Sequence, residues 1–286
     1  MFNFVNLATA DDGWSENGER FPGERNALIA FGEEFAFHYC PPGTFLMGSP
    51  EDEEGRRDWE TQHEVTLTRG FWLMETPVTQ EQWRAVTGKS PSRFSGEANL
   101  PVERVSWKVF QKFIKKLNNG GYAPDGWKFS LPTEAQWEYA CRAGTTTPFF
   151  RGSTLNGDKA DCDGGEPYGT DTEGPDLERT SPVESYAPNA WGFYDMHGAV
   201  DEWVQDVFGK YPSHAVTDPV GPKEGEGYKW NRDELKYEET GGSERVLRGG
   251  SWNYFATYCR AALRRGDVAD CRDVYTGGRL ALVPAR

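Results

Sequence analysis

The chain has 286 residues, 37% of them hydrophobic and 14% aromatic, and carries a formal net charge of −14. This is enough apolar material for one large core, and the negative field repels polyanions, which sets nucleic acid aside as a partner. No apolar run approaches the roughly 18 residues of a membrane span, and residues 1–11 lack the basic and apolar regions of a secretory leader.

No membrane insertion by this chain is therefore expected. The cell surface is the expected location if a leader or lipid anchor has been trimmed, and the cytoplasm otherwise. Five cysteines, Cys40, Cys141, Cys162, Cys259 and Cys271, show no CxxC spacing, so neither a zinc ribbon nor a thioredoxin-type site is indicated. Cys141 falls in an apolar helical pattern and reads as a small buried hydrophobe.

Residues 1–35 are polar and Gly-rich without a sustained period, and read as an N-terminal extension to one domain over residues 36–286. Residues 64–75 alternate apolar and polar types and are rich in β-branched and aromatic side chains, which predicts a pair of strands. Thr79 and Gln82 have capping-box spacing and predict a helix over residues 81–86. Ser106 opens a clearer helix: Val109, Phe110, Phe113, Ile114 and Leu117 share one face, and Asn118-Asn-Gly-Gly121 ends it. A third helix starts after Pro132 with Thr133 as its cap, buries Trp137, Tyr139 and Ala140, and ends near Gly144. Residues 151–182 and 221–243 lack hydrophobic period and read as long surface loops. Short strands are expected after residue 180, giving an α+β class with few helices and much irregular chain.

Charge is unevenly spread. Residues 245–286 hold eight Arg, no Lys and three acids, Asp267, Asp270 and Asp273. This basic tail reads either as a functional surface or as a segment packed against acidic loops of the same chain.

Several segments, in order, carry a resemblance: Pro42-Gly-Thr-Phe-Leu-Met-Gly-Ser49, Glu75-Thr-Pro-Val-Thr79, Leu100-Pro-Val102, Val105-Ser-Trp107, Leu131-Pro-Thr-Glu-Ala-Gln-Trp-Glu-Tyr139, Asn189-Ala-Trp-Gly-Phe-Tyr-Asp-Met196 and Arg245-Val-Leu-Arg-Gly-Gly-Ser-Trp252. Together the chain resembles the formylglycine-generating-enzyme (sulfatase-modifying factor) family, which implies an elaborated C-type lectin fold. Oxidase members of that family hold copper with two cysteines five positions apart; here the second position is Cys259 and the first is Tyr254. A phenol is a hard donor with a pKa of about 10, so no copper is expected. The resemblance also implies a structural calcium site at Asp195 and Glu202 with the carbonyls of Gly198 and Val200. The two carboxylates read equally as caps of backbone amides or partners of arginines. The family's Gly-Asn-Val-Trp-Glu-Trp reads Gly198-Ala-Val-Asp-Glu-Trp203 here, and its Gly-Phe-Arg reads Gly277-Gly-Arg279.

The C-terminal part resembles one branch more closely, the variable proteins of diversity-generating retroelements, in which mutagenesis of Asn codons never yields Glu, Lys, Gln, Met or Trp. Residues 253–276 contain none of these five, although they make up about a fifth of the chain. The resemblance implies a diversified region at about residues 253–276. Within it Tyr254, Phe255, Tyr258, Tyr275 and Arg265 are types that anchor recognition surfaces, and Thr257, Leu263, Asp267, Val268, Asp273 and Val274 complete the expected ligand-binding set. Tyr258, beside Cys259, reads equally as core. Ser251, Trp252, Cys259 and Arg260 read as scaffold. The function expected is binding of an unknown protein or other macromolecular ligand, without catalysis. A regulatory or scaffolding family member and, further off, a copper-dependent oxidase are the alternatives.

Overall fold

The computed structural model describes Trp14, residues 20–231 and residues 236–285. The chain opens with a hairpin, β1 (Arg25–Ala30) and β2 (Glu33–Cys40), whose antiparallel register runs from Arg25 opposite His38 to Ala30 opposite Glu33. Strand β1 therefore packs as an edge strand on the sheet of the domain. Its mixed composition, only half buried at a sheet edge, leaves no clean period to read.

Strands β3 (Gly43–Met47), β4 (His63–Leu67) and β5 (Phe71–Met74) follow. The predicted strand pair exists as two strands, but they do not pair with each other. Strand β4 lies in a three-stranded sheet ordered β3-β4-β8, where β8 is Val216–Thr217, whereas β5 pairs with β2. Close packing of Gly70 against the Tyr39 ring marks the point where the chain passes from one sheet to the other; a Cβ there would lie 2.0 Å from the Tyr39 hydroxyl.

All three helices fall where their caps placed them. Helix α1 (Gln80–Thr87) has the Thr79–Gln82 capping box and ends on Gly88 in the left-handed region. Helix α2 (Trp107–Asn119) starts at Ser106, whose hydroxyl accepts from the Val109 amide, and buries Phe110, Phe113, Ile114 and Leu117. Strand β6 (Trp127–Ser130) leads into helix α3 (Glu134–Arg142), capped by Thr133 with Gln136 as its reciprocal partner.

No helix or named strand lies between residues 151 and 182, as predicted. Residues 221–243 depart from prediction: β9 (Gly227–Asn231) and β10 (Lys236–Gly242) form a two-stranded ribbon. One face of the ribbon is anchored by Tyr228, buried in the core, and Tyr237, whose rings pack on Phe208, among acidic and glycine residues that hide the strand pattern in the sequence.

Two sheets organise the molecule. The larger is ordered β1-β2-β5-β14-β6, with β14 (Ala281–Pro284) inserted between β5 and β6. The second is ordered β12-β11-β7-β13, from β7 (Asp201–Val207), β11 (Arg245–Arg248), β12 (Arg264–Asp267) and β13 (Thr276–Gly277). Leu247 and Trp203 share one core with Trp72, Phe110 and Leu282, so the second sheet is fused to the first through buried apolar contact. Among the described residues no helix is long and apolar enough to cross a membrane.

Candidate ligand-binding site

The C-terminal segment leaves the second sheet at the end of β11 and comes back to it twice. It returns antiparallel to β11 as β12, and later joins β7 in parallel as β13. The exit is the Gly249-Gly250 turn, with φ of 98° and 76°, a region that costs side-chain-bearing residues energy. A Cβ on Gly250 would also meet the Cys259 sulfur at 2.6 Å, so this turn needs glycine on both counts.

Beyond the turn the chain makes one 3-10 turn, Ala256–Cys259. Trp252 spans the base of the excursion: its Nε1 donates to the Val274 carbonyl at 3.1 Å, and its ring meets Phe94 edge-on. It is half-buried as a clamp rather than a core residue.

Four aromatic rings gather on the outer side. Tyr254 lies 5.9 Å from Tyr258 and 5.4 Å from Tyr275, and Phe255 lies 6.2 Å from Tyr258, measured between ring centroids. Arg265 stands 5.6 Å from both the Tyr254 and the Tyr275 ring, and Arg57 stands 5.6 Å from the Tyr258 ring while donating to its hydroxyl at 3.2 Å. Cation–π contacts of this kind fix ring orientation at little entropic cost. Phe255 is 44% exposed and Val268 56%, while Tyr254, Thr257, Tyr258, Arg265, Asp267, Asp273, Val274 and Tyr275 are half-buried.

Leu263 does not join them. It is 7% exposed, with its carbonyl taken by Arg248, because it enters β12 between the buried Ala262 and the buried Arg264. Without hydrophobic period in the segment, nothing in the sequence separated it from the outward residues.

The basic tail is turned mostly inward. Arg248 pairs with Glu138, and Arg264 makes a two-pronged pair with Glu134 at 2.7 Å on each oxygen. Arg260 donates to Glu53 at 2.5 Å and to both oxygens of Glu60 at 2.9 and 3.0 Å. Arg245 reaches Glu224. The reading of a tail packed against acidic partners of the same chain therefore holds for these four, and Arg286 lies outside the described residues.

Asp201 is the residue that sequence reasoning missed. Its Oδ2 accepts from Arg265 at 2.6 Å and its Oδ1 from the Gly250 amide at 3.1 Å, so it ties the glycine turn to the arginine behind the rings. Burial pushes its carboxyl up, while Arg265 pulls it down. The signal was present: Asp201 stands where the family pattern has Trp. Arg57 had no signal of its own.

At the front of the segment Asp273 accepts from Tyr275 at 2.9 Å and from the Cys271 thiol at 3.3 Å. Burial and that hydrogen bond push the Tyr275 phenol up to about 12. Asp267, Cys271 and Asp273 place donor atoms within 4.8 Å of one another. Both carboxylates already have partners, Asp267 in Arg265 at 3.6 Å, so the group reads as a hydrogen-bonded cluster.

The residues implied for calcium do not fit the ion. Arg279 donates to both oxygens of Glu202 at 2.8 and 3.0 Å, and also to the carbonyls of Tyr194 at 2.8 Å and Asp195 at 3.3 Å. Trp137 Nε1 adds a further donor to Glu202 at 2.8 Å. A guanidinium thus supplies the positive charge, and a divalent cation would lie against it. Asp195 Oδ2 accepts the Glu184 amide at 3.0 Å, and burial pushes its carboxyl up to about 6. Gly198 and Val200 lie on the same turn, with the Gly198 amide donating to Gly249 at 2.8 Å.

Nor do the two positions used for copper in the oxidases fit: Cys259 is a buried thiol and Tyr254 a phenol held among tyrosine rings. A cleft of about 400 Å³ that includes His63, Asp206 and Tyr211 is lined by none of the aromatic display residues.

Comparison with known proteins gives these features a context. The chain is 33% identical to a formylglycine-generating enzyme of Streptomyces coelicolor over 214 residues, covering 71% of the chain and 59% of that protein. It is 29% identical to the formylglycine-generating enzyme of Mus musculus over 227 residues, covering 77% of the chain and 53% of that protein. The chain thus spans little more than half the length of these relatives. Among solved structures, variable protein 1 of Treponema denticola superposes with a TM-score of 0.73 at 25% identity, over 91% of this chain and 99% of that one. The fold is accordingly of the formylglycine-generating-enzyme and C-type-lectin-like kind. The expectation of a protein outside catalysis is overturned by the names of the relatives, which are enzymes. The model for the sulfatase-modifying factor enzyme 1-like domain matches residues 36–283, and the chain belongs to that family.

Proposed function

We propose that the outer face of residues 253–275 is a ligand-binding surface that captures a protein through Tyr254, Phe255, Tyr258 and Tyr275, with Arg265 between the Tyr254 and Tyr275 rings and Arg57 against the Tyr258 ring. The observation that carries this reading is the gathering of four aromatic rings and two arginines on one side of a segment whose other side is anchored in the fold. Tyr and Arg are the residue types that dominate binding energy at protein interfaces, because they bury large areas while losing little side-chain freedom. The likeness to a variable protein, and the lack of Glu, Lys, Gln, Met and Trp in residues 253–276, support a surface diversified by retroelement mutagenesis. Because relatives of the chain are enzymes, a captured protein would be either a partner or a substrate, and one test reads capture in both cases.

A random peptide library displayed on phage, panned on the full chain, should yield clones that compete with one another. Their binding should fall at least tenfold on Phe255→Ala or Tyr275→Ala, a loss of about 1.4 kcal/mol or more, and should be unchanged by Lys112→Ala on α2. Equal binding to all three variants would overturn the assignment of the face.

A further inference from the structure

We propose that Cys162 and Cys259 are a disulfide-forming pair that staples the loop at residues 160–168 to the inner side of the binding segment. This goes beyond the proposed ligand surface and does not rest on it. The two cysteines are far apart in sequence, yet the backbone brings their segments together. The Asp163 amide donates to the Tyr254 carbonyl at 3.0 Å, the Ala256 amide to the Glu166 carbonyl at 3.1 Å, and Asp163 and Phe255 form a parallel bridge. Cys162 and Cys259 are 1% and 0% exposed and share an apolar cluster with Phe149, Leu155, Ala160, Tyr168 and Ala256. The Cys259 thiol donates only a long contact to the Phe255 carbonyl at 3.9 Å, and both cysteines are free in this structure.

The surroundings decide between the fates open to two buried thiols in one apolar cluster. The neighbouring Cys162 thiol and burial push the Cys259 thiol up, and the carboxylates of Asp201 and Asp161 add to this. A thiolate–metal centre would put negative charge in this pocket, and the neighbouring Arg260 is already held by Glu53 and Glu60. A disulfide removes both protons and leaves no charge. The reaction is exchange with a small disulfide donor such as glutathione disulfide. The sulfur–sulfur bond forms between Cys162 and Cys259, the donor's sulfur–sulfur bond breaks, and two donor thiols leave carrying the electron pair and both protons. Exchange proceeds through thiolate, which the closed pocket disfavours, so the bond is expected to form during folding rather than in the folded chain.

The full chain, unfolded with reductant and refolded in a glutathione disulfide buffer, should be alkylated in denaturant, digested with trypsin and mapped by mass. The expected product is the peptide of residues 160–179 linked to that of residues 249–260, with Cys40, Cys141 and Cys271 alkylated. Alkylation of both Cys162 and Cys259, or linkage of Cys259 to another cysteine, overturns the pairing. So does a one-to-one copper(I) complex of the chain refolded in that buffer, held against a competing chelator and lost on Cys162→Ser. The linked protein should also melt several degrees lower after reductant is added, a response that Cys162→Ser and Cys259→Ser variants should lack.

Discussion

Replacing Arg260 would leave Glu53 and Glu60 facing one another with no cation between them. Arg260 and Glu60 are both fully buried, and breaking such a group by removing one member costs about 3–5 kcal/mol. Arg260→Met is therefore expected to lower unfolding free energy by about that amount in urea titrations, and Glu60→Gln in the same chain should recover part of it. Phe255, five positions earlier, is 44% exposed and its removal should scarcely move the midpoint. The sequence distinguishes these two only in part. Phe255 and Val268 were legible as outward because no period buries them, but the same absence of period admitted Leu263 to the surface, where it does not belong. Arginine was the harder case. An unpaired Arg and one locked onto a remote glutamate look identical in sequence, and Glu53, Glu60 and Glu134 come from segments with no local link to the tail. Asp201 was marked only by standing in the place of a tryptophan.

At the scale of elements, the helices were legible because their ends are written in adjacent residues. Thr133 accepts the Gln136 amide at 3.2 Å while the Gln136 side chain accepts the Thr133 amide at 2.8 Å. Thr133→Ala should cost about 1 kcal/mol of stability, read as a shift in urea midpoint without a change in slope. Strands were legible as strands but not as partners. The alternation of β4 says which face is buried and the apolar run of β5 that both faces are, whereas the passage into different sheets depends on Gly70 meeting Tyr39 from β2. The β9–β10 ribbon was missed for a different reason: its buried face rests on Tyr228 and Tyr237 against Phe208, two isolated positions among acidic and glycine residues that show no period.

The whole molecule carries its charge unevenly by depth as well as along the chain. Asp161 and Asp206 are buried, and burial is the first cause pushing each carboxyl up to about 7. A carboxyl whose folded pKa is raised binds its proton more tightly in the folded state. It therefore favours folding below the unfolded value of about 4, and that contribution is lost as pH rises to about 7. The melting temperature of the wild-type chain should fall relative to that of Asp206→Asn between pH 5 and pH 8, by an amount corresponding to a few kcal/mol, since each tenfold difference in proton affinity is worth about 1.4 kcal/mol. A constant gap across that range, measured by calorimetry, would show that Asp206 stays ionised throughout. The family and its fold were legible at this scale because the matching motifs are spread across the chain, while the enzymatic names of its relatives reach beyond what a tyrosine at position 254 had suggested. One feature of the second sheet bears on how such a protein changes over time. Both ends of the binding segment are sewn into the same pair of central strands, β11 and β7, so the segment behaves as a cassette with two fixed sockets. Exchange of residues 253–275 between relatives would carry the outward face as a unit, provided Arg260 and Arg264 travel with it to meet the glutamates that stay behind. Inheritance of the scaffold and inheritance of the surface are thereby separable, and the seam between them runs along those two arginines.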